Sequence, residues 1–158
     1  MEDTSKQQRS FQQFSTFIVA GRHYGIEVTK VQEVIKPMKI TSVPLAPTFV
    51  KGLINLRGQV ATAVDLTELF EIQSRPDKTD DTNELMNVVC RLGGFLMAFQ
   101  VEEIGDVLEL ETKNFEETPP TVPVGIKRFM SGVFKTDQYL LSIIDIDKIN
   151  GYLQEKAA

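Results

Sequence analysis

Side chains that could carry out hydrolytic or covalent catalysis are scarce in this chain. A catalytic triad needs a nucleophile, a base and an orienting acid, but the only histidine, His23, falls in a predicted hairpin turn. The only cysteine, Cys90, lies in the apolar run MNVVCRL. A thiol in the middle of a strand has no helix terminus to lower its pKa. We therefore expect Cys90 to be a buried structural thiol, and we expect no enzymatic activity.

Acidic residues cluster in two places, but without the spacing of a metal site. Asp145 and Asp147 occur in the sequence DIDK, and residues 77–84 are rich in acids. Neither stretch supplies the spaced oxygen ligands and the turn glycine of an EF-hand. One histidine and one cysteine cannot form a zinc cluster. Helix capping and a solvated loop are the better interpretations, so we expect no metal and no cofactor.

Arg57 is the side chain best suited to bind a partner. It precedes Gly58 in the sequence NLRG, between two strand-like stretches. At the tip of a hairpin, its planar guanidinium would project outward and could bind a carboxylate through two hydrogen bonds. An ordinary exposed turn arginine is the alternative, and this argument alone leaves both interpretations open.

The elements that must position Arg57 occur twice in the sequence. Residues 52–66 (GLINLRGQVATAVDL) are repeated without a gap by residues 132–146 (GVFKTDQYLLSIIDI). Residues 24–35 (YGIEVTKVQEVI) are matched in the same way by residues 97–108 (MAFQVEEIGDVL). Two ordered repeats indicate a pseudo-twofold duplication and are too few for a solenoid.

The two copies differ where chemistry is expected. The apolar positions are shared, but the second copy has KTDQ at residues 135–138 where the first has NLRG at residues 55–58. Asp137 thus stands in the place of Arg57, whereas the equivalent residues Glu33 and Asp106 are both acidic. We expect function to lie in this difference between the copies.

Short strand-like runs punctuated by Gly and Pro predict an all-β fold. Each copy has roughly five such runs, which is near the minimum for a small closed barrel, so we predict two barrels that share an apolar interface. The predicted elements are hairpins turning at residues 21–23, 57–58 and 93–94, a last hairpin over residues 129–144, a helical or bent connection at 28–35, an extended piece at 40–43, a short helix from Asp65 to Phe70, a long exposed loop at 112–125 and a terminal helix at 145–154 capped by Asp145. The predicted organisation is one domain, 14–153, made of subdomains 14–72 and 85–146, with a flexible arm 1–13 and a linker 73–84.

Composition excludes several classes of function. The chain has 158 residues and a net charge of −5, and the part after Arg75 carries 8 basic and 15 acidic residues. Nucleic-acid binding needs a basic face, so we expect no nucleic-acid partner. The polar start and the lack of a long apolar run predict neither a signal peptide nor a membrane span, and hence a cytoplasmic protein.

The sequence FVKGLINLRGQVATAVDL at residues 49–66, with VQEVI at 31–35 and the repeat at 132–146, resembles the CheW family of bacterial chemotaxis adaptors. The resemblance covers about residues 14–153. It implies two intertwined five-stranded SH3-like barrels, a CheW-like fold. It also implies a non-catalytic scaffold that couples the regulatory domain of the CheA histidine kinase to the cytoplasmic tips of methyl-accepting chemotaxis receptors, recruited to arrays at the inner face of the membrane. The polar residues at both ends favour a free-standing adaptor over a fragment of CheV or of the kinase.

Carried over residue by residue, the resemblance assigns kinase or receptor contacts to one set of residues: Val31, Glu33, Gly52, Asn55, Leu56, Arg57 and Gly58. A receptor-facing apolar surface is implied for Val28, Val34 and Ile35, for which barrel core is the alternative. A small β-barrel enzyme or ligand-binding protein is the alternative function. It would need a polar-lined pocket with convergent titratable side chains.

Overall fold

A computed structural model describes residues 9–72 and 85–157 of the chain. The described residues form ten strands, β1 (Phe11–Val19), β2 (Arg22–Glu27), β3 (Val31–Ile35), β4 (Val50–Leu56), β5 (Gln59–Asp65), β6 (Met86–Leu92), β7 (Phe95–Val101), β8 (Glu103–Glu111), β9 (Met130–Lys135) and β10 (Leu140–Ile144). They also form the helices α1 (Leu66–Leu69), α2 (Val124–Lys127) and α3 (Ile146–Ala157), with 3-10 turns at Val28–Lys30 and Thr112–Asn114. The predicted all-β fold with short helices is confirmed.

The ten strands form two five-stranded sheets that are intertwined along the chain. Sheet A has the order β8-β1-β2-β10-β9, and sheet B has the order β3-β6-β7-β5-β4. Strands β1 to β5 of the first copy correspond in order to β6 to β10 of the second. Exchanging each strand for its equivalent converts one sheet order into the other. The sequence duplication is therefore a structural pseudo-twofold. The two copies meet twice inside each sheet, through a parallel pair (β2 with β10, and β5 with β7) and through an antiparallel pair (β1 with β8, and β3 with β6).

This distribution of strands differs from the predicted subdomains 14–72 and 85–146. Sheet A takes β1 and β2 from the first copy, and sheet B takes β6 and β7 from the second. Each sheet therefore combines the first hairpin of one copy with the last three strands of the other. Neither sequence copy forms a sheet by itself. The boundaries of the single domain remain a prediction.

A glycine in each sheet lets the segment after an edge strand reach the opposite edge. Thr41, beyond β3, pairs with Leu53 of β4, and Glu116, beyond β8, pairs with Val133 of β9. A Cβ on Gly52 would lie 2.2 Å from the carbonyl oxygen of Thr41. A Cβ on Gly132, its equivalent, would lie 2.5 Å from that of Glu116. Close backbone approach thus explains why glycine stands at both positions.

The main hydrophobic core lies between the sheets and joins them. It includes Phe17 and Tyr24 from sheet A and Val88 and Phe99 from sheet B. A second cluster, with Ile54, Leu56 and Ala98, lies inside sheet B, and a third, with Phe14 and Leu141, lies inside sheet A. Strands β6 and β7 thus bury side chains on both faces, which explains their near-continuous apolar sequences.

Helices α1 and α3 follow the equivalent strands β5 and β10, and each is capped by the predicted aspartate. Asp65 accepts hydrogen bonds from the backbone N–H groups of Thr67 and Glu68. Asp145 accepts hydrogen bonds from the backbone N–H groups of Asp147 and Lys148. Side-chain oxygens at this position satisfy N–H groups that the first helical turn leaves unpaired.

Several predicted elements need correction. The connection at 28–35 is a 3-10 turn followed by β3, because Val31 to Ile35 pair with β6 instead of continuing the turn. Residues 11–13 of the predicted flexible arm belong to β1 and pair with β8. The predicted loop 112–125 contains a 3-10 turn and the start of α2, and the extended piece 40–43 is an isolated bridge at Thr41. Residues 1–8 and the linker 73–84 lie outside the described residues.

Candidate functional site

The tip of the β4–β5 hairpin has a turn geometry that fixes the direction of Arg57. Leu56 pairs with Gln59, so Arg57 and Gly58 form a two-residue loop. Their φ values are +53° and +89°, and positive φ at both positions is the feature of a type I′ turn, which matches the twist of a hairpin. The side-chain oxygen of Asn55 accepts a hydrogen bond of 2.9 Å from the N–H of Gly58. The predicted hairpin tip is confirmed, and Asn55 supports it.

The guanidinium of Arg57 donates a hydrogen bond to the carboxylate of Glu33 and forms an ion pair with it. The two residues lie on β3 and beyond β4, the opposite edge strands of sheet B. The Thr41–Leu53 bridge brings these edges together, so the same closure that needs Gly52 also places the ion pair. The Arg57 side chain remains 68% exposed and that of Glu33 26% exposed. Arg57 is thus held from one side and available from the other.

Sequence reasoning named Glu33 and Arg57 separately and missed their pairing. It also missed a neighbouring contact, in which the guanidinium of Arg91 on β6 donates a hydrogen bond of 3.2 Å to the side-chain oxygen of Gln32. Both contacts tie β3 to another strand of sheet B at the same end. The opposite charges of Glu33 and Arg57 are visible in the sequence. Pairing the two residues requires the strand order of sheet B, which the sequence does not give.

Other predicted contact residues are buried or half-buried and pack against the hydrophobic clusters. Leu56 is 3% exposed and belongs to the second cluster, and Gly52 is buried beneath the Thr41 segment. Val31 packs against the main core and Ile35 against the second cluster. Gly52 and Leu56 lie on the inward face of β4, because alternate residues of a strand face the inside of the sheet. Their assignment to a partner contact stays a prediction.

The three residues predicted to form a receptor-facing apolar surface differ in how exposed their side chains are. Val34 is 38% exposed on the outer side of β3. Val28 is half-buried in the 3-10 turn, and Ile35 is half-buried against the second cluster. The barrel-core alternative thus fits Ile35 best, and Val34 is the member of this set with the most accessible side chain.

The equivalent tip in sheet A has different chemistry. The hydroxyl of Thr136 accepts hydrogen bonds from the N–H groups of Gln138 and Tyr139. Asp137 and Asp106, the counterparts of Arg57 and Glu33, both carry negative charge and cannot form an ion pair with each other. The nearby cation, Lys135, lies 3.5 Å from the carboxylate of Glu116. The arrangement of Arg57 and Glu33 therefore belongs to the first copy alone.

The residues considered for catalysis do not come together. His23 lies in β2, not in the predicted turn, and its ring stacks on Tyr139 with centroids 3.7 Å apart. Within the described ranges, no three His, Cys, Asp or Glu side chains are close enough to hold a metal ion. The acid-rich stretch 77–84 lies outside the described residues.

Cys90 is fully buried in the main core, as the sequence predicted. Burial disfavours the thiolate and raises the pKa of the Cys90 thiol to about 12. Because only the thiolate reacts, we expect the native protein at pH 8 to show no reaction with a thiol reagent such as DTNB within an hour. One equivalent should react in guanidinium chloride. Rapid labelling of the folded protein would contradict this burial.

The alternative ligand-binding function would need a pocket, and the protein has a cleft of about 350 Å³. Its charged lining residues include Glu27, Lys30 and Asp147. Glu27 accepts a hydrogen bond from the amide of Gln12, and Lys30 lies 3.8 Å from the carboxylate of Asp147. Asp145 also lines the cleft and caps α3. Each of these charged side chains therefore already has a polar partner within the protein.

The geometry defines a duplicated β-sheet protein whose distinctive surface feature is an exposed, oriented arginine. The sequence model of the CheW-like domain matches residues 13–152. The chain belongs to the CheW family of chemotaxis adaptors. In the described ranges, no helix is both long and apolar enough to cross a bilayer.

Individual relatives agree with this assignment. The chain is 28% identical over 138 residues to chemotaxis protein CheW of Klebsiella aerogenes, covering 87% of this chain and 81% of the relative. It is 29% identical over 134 residues to CheW of Thermotoga maritima, covering 85% and 84%. The crystal structure of the scaffolding protein TtCheW from Thermoanaerobacter tengcongensis superposes with a TM-score of 0.75 at 28% identity, covering 87% of this chain and 86% of that one.

Proposed function

We propose that this chain couples methyl-accepting chemotaxis receptors to the regulatory domain of a CheA-type histidine kinase. It does so in the cytoplasm through protein–protein contacts and catalyses no reaction. The observation that carries the proposal is Arg57, held at a rigid tip by Glu33 while most of its side chain stays exposed. A preorganised guanidinium loses little freedom on binding and recognises carboxylates specifically.

Family position and geometry support the same surface. Glu33 and Arg57 match family positions implicated in partner binding, and the structure joins them in one ion pair. Coupling requires affinity for both partners and a difference in affinity between signalling states. A fixed charge at a rigid tip suits this requirement, because a small change in the partner's geometry changes the contact with the guanidinium.

Replacing Arg57 with Ala tests the proposal. Exposed ion pairs contribute little to stability, so we expect the Tm of Arg57→Ala to stay within about 4 °C of wild type. Binding to the kinase regulatory domain should weaken at least about tenfold, as for the loss of an interface arginine. The measurements are thermal unfolding by circular dichroism, binding by calorimetry, and kinase activity reconstituted with receptor fragments.

Lys135→Ala is the matched control, because Lys135 is 66% exposed, forms an ion pair with Glu116 and lies near the equivalent tip of sheet A. We expect it to bind and activate as wild type does. A collapsed fold in Arg57→Ala, or an activation curve that matches wild type, would contradict the proposal.

A further inference from the structure

The loop between β3 and β4, residues 36–49, presents a leucine that is fully exposed. Leu45 has a relative exposure of 103%, the largest of the exposed hydrophobic side chains in the described ranges. Met38 and Val43, in the same loop, are each 39% exposed. Single exposed apolar residues are common on protein surfaces, so exposure needs a second observation before it indicates a function.

The second observation is the backbone conformation of Leu45, which lies in the left-handed region that leucine rarely adopts. Its φ is +64°, and it follows Pro44 in a turn where the N–H of Ala46 donates a 3.4 Å hydrogen bond to the carbonyl of Val43. Proline followed by a residue with positive φ is typical of a type II turn, whose third position normally holds Gly or Asn. Leucine here is both strained and exposed, so neither backbone preference nor burial accounts for it, and an outlier of this kind points to a functional role.

The loop is fixed at both ends, which prepares it for docking. Thr41 and Leu53 exchange two backbone hydrogen bonds of 2.8 and 2.9 Å, and the N–H of Val50 donates one of 2.9 Å to Pro47. Ile40 packs against the second cluster. A fixed loop loses little conformational entropy when it binds.

The charges around Leu45 indicate an acidic partner. Between Val34 and Val64 the sequence has no Asp or Glu but four cations, Lys36, Lys39, Lys51 and Arg57, in a chain of net charge −5. Lys51 lies 3.8 Å from the Asp65 carboxylate and Arg57 is paired with Glu33. Lys36 and Lys39 belong to the loop itself, which is therefore apolar at its tip and basic at its start.

Two kinds of acidic surface fit this chemistry, an anionic bilayer and a protein. A whole myristoyl chain gives only marginal and reversible membrane binding, and stable anchoring needs a second signal. One fully exposed leucine with two lysines supplies less than that. A leucine that enters a pocket on a protein, with the exposed apolar residues Met38 and Val43 in the same loop, has the pattern of an interface anchor and its rim. The observations favour the protein.

We propose that Leu45 anchors a docking surface formed by loop 36–49, and that its partner is an acidic, leucine-sized apolar pocket on the kinase regulatory domain. The inference rests on the proposed function, because the loop joins β3, which carries Glu33, to β4, which leads to Arg57. The loop thus extends the surface around the tip.

Leu45→Asn separates binding from folding, because the two effects have opposite signs. Asparagine tolerates positive φ better than leucine, so we expect the Tm to stay level or to rise by up to about 4 °C. Affinity for the isolated kinase regulatory domain should fall at least about tenfold.

Leu45→Met should retain most of the affinity for the kinase regulatory domain. The charge reversals Lys36→Glu and Lys39→Glu, made together, should weaken that affinity most at low salt.

Val124→Asn is the matched control, since Val124 is 72% exposed on α2, far along the chain from the loop. It should leave affinity unchanged. Wild-type affinity in Leu45→Asn beside weakened binding in Arg57→Ala would overturn the docking surface and leave the proposed function standing. Binding to phosphatidylglycerol vesicles that is lost in Leu45→Asn would overturn it in favour of a membrane role. If wild type binds neither kinase domain nor receptor fragment, the proposed function fails as well.

Discussion

Gly52→Ala should lower the Tm by about 6–12 °C, corresponding to a loss of roughly 3 kcal/mol for a clash of this kind in a domain of this size. The new Cβ would lie 2.2 Å from the Thr41 carbonyl oxygen and 2.7 Å from the Ile40 side chain. The φ of Gly52 is +149°, which alanine rarely adopts. Because the contact is with backbone, relief requires the Thr41 segment to move away from β4. Thermal unfolding by circular dichroism measures the effect.

Three other glycines separate the clash from the backbone angle. Gly58 has a φ of +89° and open space around its Cβ position, so Gly58→Ala tests the angle alone. Gly94 has open space and no positive φ, so Gly94→Ala should change the Tm least. Gly132 has no positive φ, but its Cβ would lie 2.5 Å from the Glu116 carbonyl oxygen, so Gly132→Ala tests the clash without the angle. A Gly52→Ala protein as stable as Gly94→Ala would refute the close approach.

This result would change how a binding defect at Gly52 is understood. Gly52 is buried beneath the Thr41 segment. The Thr41–Leu53 bridge that it permits holds both loop 36–49 and the approach of Glu33 to Arg57. A variant at Gly52 that loses kinase binding should therefore also lose stability, whereas Arg57→Ala should lose binding alone.

The fold was predictable from the sequence because the duplication repeats the apolar frame. Gly52 and Gly132 coincide in that frame, and so do the helix caps Asp65 and Asp145. The N–H groups of both caps also donate hydrogen bonds of 2.8 Å to equivalent carbonyls, those of Phe49 and Phe129. The exchange of hairpins between the sheets was not predictable from the repeat itself, because pairing within a copy and pairing across copies bury the same apolar pattern.

The candidate site was predictable only in part, for a related reason. The tip of Arg57 follows from a local turn, which two neighbouring residues specify. Its pairing with Glu33 depends on sheet closure over 24 residues of chain, and no local pattern encodes this. The left-handed backbone at Leu45 was missed as well, since Pro44 signals a turn but leucine is a poor signal for positive φ.

A double-mutant cycle on Glu33 and Arg57 should show that Glu33 acts through Arg57. We expect Glu33→Ala alone to weaken binding of the kinase regulatory domain by about five- to tenfold, because the unpaired guanidinium loses its orientation. In the Arg57→Ala background, the same change should weaken binding by less than about twofold, since no guanidinium remains to orient. Calorimetry on the four proteins measures the coupling.

The reversed pair, Glu33→Arg with Arg57→Glu, separates stability from recognition. The two charges still attract, so the Tm should stay within about 4 °C of wild type. Binding should not recover, because a carboxylate now stands at the exposed tip and repels an acidic partner surface. Additive losses in the cycle would mean that Glu33 contacts the partner itself. Restored binding in the reversed pair would mean that the ion pair holds sheet B closed and that the charge presented at the tip is not what the partner recognises.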